Sequence, residues 1–179
     1  IIENDGAIQV QGTAPEPVTF QASESASASW GGILIKNNNA ANSLQHLVID
    51  KAGVVNIDYH VTYDVPFAME AGLTIDVRCA VKNVTVKGSG NVGIFVGNSA
   101  NLTQFENISV NNSAGYPLVI PTKQLKNIQT GNTFSGNVPN KVYVWGAYID
   151  EGDHTWRNPG IPYLLSNDLD IYSASLHIT

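Results

Sequence analysis

One pattern, apolar–charged–Asn–apolar, recurs along the middle of the chain and limits what it can fold into. It appears as Val81-Lys82-Asn83-Val84, Phe105-Glu106-Asn107-Ile108 and Leu125-Lys126-Asn127-Ile128. Leu44-Gln45-His46-Leu47 is an earlier, looser copy with His in the Asn place. A second pattern keeps step with the first: Ile94-Phe95-Val96 follows Asn83 at the same distance at which Leu118-Val119-Ile120 follows Asn107. Short β-branched runs separated by Gly and Asn, at a period of about 20–24 residues, mark a solenoid. Each copy is too small to bury its own apolar face and must stack on its neighbours. The fold expected is all-β: a single-stranded right-handed parallel β-helix of roughly 7–8 coils, about 35–40 Å long at ~4.8 Å per coil. Residues 1–179 read as one such domain, a fragment or one unit of a longer solenoid.

Composition agrees with this. Charged residues make up 13% of the chain against 43% hydrophobic, so Asn, Ser, Thr and Gly serve as surface in place of charge, a mix suited to turns and sheets. A net charge of −6 with only two arginines, Arg78 and Arg157, argues against nucleic acid as a partner. Cys79, the single cysteine, excludes an internal disulfide and reads as a buried structural thiol. No run approaches the ~18 apolar residues of a membrane-spanning helix.

Along the chain, Ala7–Gln11 and Val18-Thr19-Phe20 read as short strands, and the Ser/Ala-rich 21–29 segment as a loop covered by Trp30. Gly31-Gly32 would let the backbone approach a neighbouring coil. Val142-Tyr143-Val144-Trp145 is a further strand, and Asp150-Glu151-Gly152-Asp153-His154 a polar turn. Tyr163-Leu164-Leu165, Leu169-Asp170-Ile171 and Leu176-His177-Ile178 close the sequence. Leu176–Thr179 placed before Ile1–Ile8 reads as a continuous coil, which raises end-to-end contact between units, or a self-associating structural repeat, as an expectation.

Gly12-Thr13-Ala14-Pro15-Glu16-Pro17-Val18-Thr19-Phe20, Trp30-Gly31-Gly32-Ile33, Thr155-Trp156 with Pro162-Tyr163, and Leu176-His177-Ile178-Thr179 together resemble secreted bacterial β-helix repeat proteins of the pectate-lyase-like kind. Those proteins carry GTA-x-x-P-(I/V)-x-F, WGGI, TW…PY and LTI signatures in that order. His177 departs from the pattern, where Thr is usual, and so does the 51–80 insertion. The resemblance implies an extracellular or surface-anchored parallel β-helix and no defined activity.

Three groups of residues could do more than build the fold. Asn83, Asn107 and Asn127 share a phase and are expected to stack as a structural amide ladder, each at a bend needing a left-handed residue. The sequons at Asn83, Asn101, Asn107 and Asn111 follow from an Asn/Ser/Thr-rich composition. Asp58, Asp64, Glu70, Asp76 and Arg78 make the 50–78 insertion the one stretch able to hold a polysaccharide lyase centre, which would use Ca²⁺, or a glycosidase centre, which needs two carboxylates ~5–10 Å apart. A solvated, turn-rich face is the competing reading. Tyr143, Trp145 and Tyr148 are glycan-contact candidates, since flat aromatic faces stack on sugar rings, against a reading in which Val142 and Val144 face inward and Tyr143 and Trp145 cover a flanking loop. His154 beside Asp150 and Asp153 is a weaker metal-binding possibility, and no stronger metal motif or cofactor is indicated. The role expected is an extracellular non-catalytic module — adhesin, spacer or glycan-contacting surface protein — with a polysaccharide-active enzyme as the alternative.

Overall fold

A computed structural model describes residues 6–23, 29–53, 70–146 and 148–179. The chain is all-β, and every described strand pair is parallel. In chain order the strands are β1 (Gln9–Gln11), β2 (Val18–Gln21), β3 (Ile33–Ile35), β4 (Ser43–Asp50), β5 (Ala71–Ile75), β6 (Arg78–Lys87), β7 (Val92–Val96), β8 (Asn101–Glu106), β9 (Ser109–Asn111), β10 (Leu118–Pro121), β11 (Thr133–Ser135), β12 (Val142–Trp145), β13 (Tyr148–Trp156), β14 (Tyr163–Leu165) and β15 (Asp170–Ile178). From β1 to β12 the chain passes back and forth between two sheets. One holds β3, β5, β7, β10, β12 and β14 side by side in chain order, and the other holds β1, β2, β4, β6, β8, β9 and β11. Each sheet thus grows by one layer per passage of the chain. The first contains six layers among the described residues, fewer than the sequence suggests.

The sequence period becomes spatial register. Ile94 pairs with Leu118 and Leu118 with Val142, and both steps equal the one from Asn83 to Asn107. Lys82 pairs with Glu106, and Lys87 with Asn111. Alternate apolar residues of the six-stranded sheet enter the main core: Ile33 and Ile35, Leu73 and Ile75, Ile94 and Val96, Leu118 and Ile120, Val142 and Val144. Those between them form a second cluster on the opposite face, where Ala71, Val92, Phe95 and Val119 are packed by Tyr116, Tyr143 and Trp145. Both faces are therefore covered, and β5, β7 and β10 are buried along their whole length.

Two columns of left-handed residues turn the chain at each layer. His46, Asn83, Asn107 and Gly131 have φ of 49°, 54°, 54° and 79°. In the second column Lys51, Gly88, Asn112 and Gly136 have φ of 53°, 63°, 57° and 66°. In the first column the side chains bond along the stack: Asn107 Nδ2 donates to Asn83 Oδ1 at 3.1 Å, and Asn83 Nδ2 lies 3.1 Å from His46 Nε2. With Asn83 Oδ1 already accepting, its Nδ2 is the donor, so His46 Nε2 accepts and the ring proton sits on Nδ1. Asn and His bring a cost of about 1–3 kcal/mol for this backbone region, which the ladder offsets with hydrogen bonds of about 1 kcal/mol each.

Asn127 is not part of the ladder. It ends a 3₁₀ helix, Thr122–Asn127, and donates to Gln124 Oε1 at 2.9 Å. Gly131 takes the equivalent place, where a Cβ would collide with Asn107 Oδ1. The 3₁₀ helix stands where a further strand beside β8 would lie. Gln124 substitutes for that strand by donating to Ala100 O at 2.6 Å and accepting from Leu102 N at 3.2 Å. Beyond this interruption β13 and β15 form a separate parallel pair.

The other expectations divide. Val142–Trp145 and Tyr163–Leu165 are strands as expected. The polar turn expected at 150–154 is instead the middle of β13, bent at Glu151 (φ 54°), and Leu169–Ile171 and Leu176–Ile178 fall largely within the single strand β15. Gly32 (φ 99°) does permit close approach, for a Cβ there would lie 2.6 Å from Ala71 O. Trp30 meets Phe20 edge to face with ring centroids 6.4 Å apart, and its Nε1 donates to Asp50 O at 2.9 Å. Residues 24–28, the centre of the segment it was expected to cover, lie outside the described residues.

Candidate functional site

Two of the five acidic-insertion candidates, Asp58 and Asp64, lie outside the described residues. The other three stand apart. Glu70 precedes β5 and accepts from Asn91 Nδ2 at 2.6 Å; Asp76 follows β5 and accepts from Ser99 N at 3.3 Å; Arg78 is exposed at the start of β6. Strand β5 separates Glu70 from Asp76 by about 20 Å at ~3.3 Å per residue, so these two do not form a carboxylate pair. His154 is buried in β13 with Nε2 3.2 Å from Glu151 O, while Asp150 and Asp153 are exposed. The three do not converge, and no group of three or more metal-ligating side chains occurs among the described residues.

The aromatic residues give a more coherent picture. Val142 and Val144 of β12 enter the main core, so Tyr143 and Trp145 emerge on the opposite face. Tyr143 packs on Tyr116 at a centroid distance of 5.1 Å and is committed to that second cluster. Trp145 stacks on Phe95 at 6.3 Å with an interplanar angle of 14°. Its layer then turns at Gly146 (φ 90°), and β13 opens with the exposed Tyr148.

Trp145 and Tyr148 line a recess of about 280 Å³ together with Asn98, Thr122, Lys123 and Asp150. Its lining comes from three successive layers at the corner where the six-stranded sheet ends. Asn98, Thr122 and Gly146 are spaced by the same step as the core register, one residue from each layer. Pro121 pairs with Trp145, and Thr122 Oγ1 donates to Tyr148 O at 2.9 Å, which fixes the corner. The recess thus carries two aromatic rings, a cation, an anion, an amide and a hydroxyl on a rigid frame. Such a surface holds a polyhydroxylated ring: CH faces on the aromatics and hydroxyl groups on the polar rim. Asn98, Lys123 and Asp150 were not singled out in the sequence; extending the register step from Gly146 back to Thr122 and Asn98 is the signal that finds the corner.

Titration marks the frame instead of the recess. Burial pushes the Cys79 thiol up to about 12, as for an inert core thiol. Tyr163 is likewise raised to about 12 by burial, and its hydroxyl donates to Arg157 O at 2.5 Å. Glu106 lies below the usual carboxylate range, chiefly through its hydrogen bond from Lys82 Nζ at 2.7 Å, with Gln104 Nε2 also donating at 2.8 Å. None of the described helices is long and apolar enough to cross a membrane.

No protein-family model matches the chain, and neither a curated protein nor a solved structure matches it.

Proposed function

We propose that this chain is a right-handed parallel β-helix that serves as an extracellular or surface-anchored, non-catalytic module, contacting glycan through the recess at Trp145 and Tyr148. The uniform parallel pairing and the alternation between two sheets support the helical winding, and connections between parallel strands of one sheet are right-handed in about 98% of cases. The secreted β-helix signatures, with Trp30-Gly31-Gly32-Ile33 running into β3 and Leu176–Ile178 closing β15, support the localisation.

The observation that carries the glycan reading is the meeting of Trp145, Tyr148, Asn98, Lys123 and Asp150 in one recess. Its volume of about 280 Å³ is at the lower end for ligand pockets, which suits a single sugar ring of a longer chain. Titration calorimetry against neutral and uronate-containing oligosaccharides tests it. Tyr148→Ala should weaken binding about tenfold, a loss of about 1.4 kcal/mol, with the fold intact by circular dichroism. Tyr143→Ala, outside the recess, should leave affinity within about twofold. Absence of binding across the panel overturns the glycan reading; release of unsaturated uronates or new reducing ends overturns the non-catalytic one.

A further inference from the structure

Each strand in the stack is covered by the one after it, until the last layer. Register pairs make the change measurable. Ile149, Trp156 and Val144 are 0%, 2% and 1% exposed, whereas their partners Ile171, Ile178 and Leu165 are 46%, 67% and 43% exposed. The residues continue the same apolar columns, so their chemistry is that of a core and their exposure that of a surface. Tyr172, 59% exposed, widens the patch. Large exposed apolar groups gathered on one face mark an interaction surface, and β15 adds a long edge whose outward backbone groups pair with no described strand.

The other end shows the same thing in smaller form. Ile49, Val86 and Val110 form one fully buried column, and the residue that ends it, Phe20 of β2, is exposed. The molecule therefore has two open faces at opposite ends of a parallel stack. We propose that the face formed by β14 and β15 docks the β1–β2 face of a second copy of this chain, head to tail. Continuity with the internal interface is the reason: only head-to-tail placement keeps the strands parallel and carries the apolar columns across the junction in the sense that every layer within the chain already uses. Two identical faces related by a twofold axis would instead bring the edges together antiparallel. A head-to-tail contact does not close on itself, so it propagates into a linear series. This inference stands apart from the glycan reading and uses none of its residues.

Sedimentation velocity from about 1 μM to about 1 mM tests it. The wild-type chain should show a rising series of species. Ile178→Lys and Phe20→Lys should each remain at monomer mass at every concentration while retaining the β-sheet spectrum by circular dichroism, with Ile171→Lys and Thr19→Lys as second variants at the two faces. An equimolar mixture of Ile178→Lys and Phe20→Lys retains one intact face of each kind and should stop at the dimer. A wild-type chain that stays monomeric throughout overturns the proposal. So does association that Ile178→Lys abolishes and Phe20→Lys leaves unchanged, because that pattern belongs to a twofold dimer.

Discussion

The layers between Val81 and Trp145 and the last layer, β14 with β15, are built from similar strands, and they differ in what covers them. Phe105 and Ile108 sit between neighbours on both sides and are fully buried; Ile171 and Ile178 have a neighbour on one side and are open. A residue's burial in this chain is thus set less by its own segment than by its place in the stack, as expected when each repeat contacts only its neighbours. Energetics should follow the same division. Phe105→Ala should lower unfolding free energy by about 3–5 kcal/mol, the range for an aromatic deleted from a closed core, whereas Ile178→Ala should stay below about 1 kcal/mol for an exposed terminal position. Denaturant midpoints at a concentration where the chain is monomeric give both numbers. Equal losses would break the comparison and mean that the end layer is covered after all.

The bends sharpen it further, because they stabilise by a different route. Asn107 links two layers through its amide and holds φ of 54°, which most side chains resist. Asn107→Ala removes both contributions and should cost about 1–3 kcal/mol. His46 ends the amide ladder with a ring nitrogen acting only as acceptor, and Asn tolerates the left-handed region at least as well. His46→Asn should therefore change stability by less than about 1 kcal/mol. The equivalent bend of the last layer, Ser173 (φ 50°), is exposed. Ser173→Ala should cost less than Asn107→Ala, and the same unfolding curves decide this.

How far these features could be read from the sequence follows from where the signal resides. The step from Asn83 to Asn107 and from Ile94 to Leu118 is visible because similar side-chain types occupy equivalent positions, and His46 in the Asn place is legible for the same reason. The step to Gly131 is silent: Gly has no side chain to announce a ladder, and Leu125-Lys126-Asn127-Ile128 imitates the repeat slightly too early. Leu125 and Ile128 do reach the core, but from a 3₁₀ helix and its flank, so the apolar spacing was right and the element wrong. In β13 the bend at Glu151 shifts the alternation, which lets a strand with buried Ile149, His154 and Trp156 pass for a polar turn. Within the recess, Trp145 and Tyr148 were readable as aromatics beside one turn, while Asn98 and Lys123 reach it from earlier layers that only the register brings close.

The smallest effect tests whether charge, instead of burial, separates the middle layers from the last. Lys82 and Glu106 are register partners, and their ion pair at 2.7 Å ties two layers on the outer surface. Tyr172 and Asp170 of β15 bond within one strand and link nothing across layers. Glu106 titrates below its ordinary value of 4.5 in the folded chain because Lys82 holds the charged form. A depressed folded pKa means that the pair's contribution is fully present above about 4.5 and is lost as pH falls through the folded value. The pair is solvent-exposed, so the contribution is small and screened by salt. Unfolding midpoints of wild type and Glu106→Gln should accordingly differ slightly and constantly above about pH 5, converge on acidification, and lie closer together in high salt. A large gap that persists at acid pH would mean that Glu106 acts through packing. A large gap that disappears with acid or salt would mean that surface charge, more than the buried columns, holds the middle of the stack together.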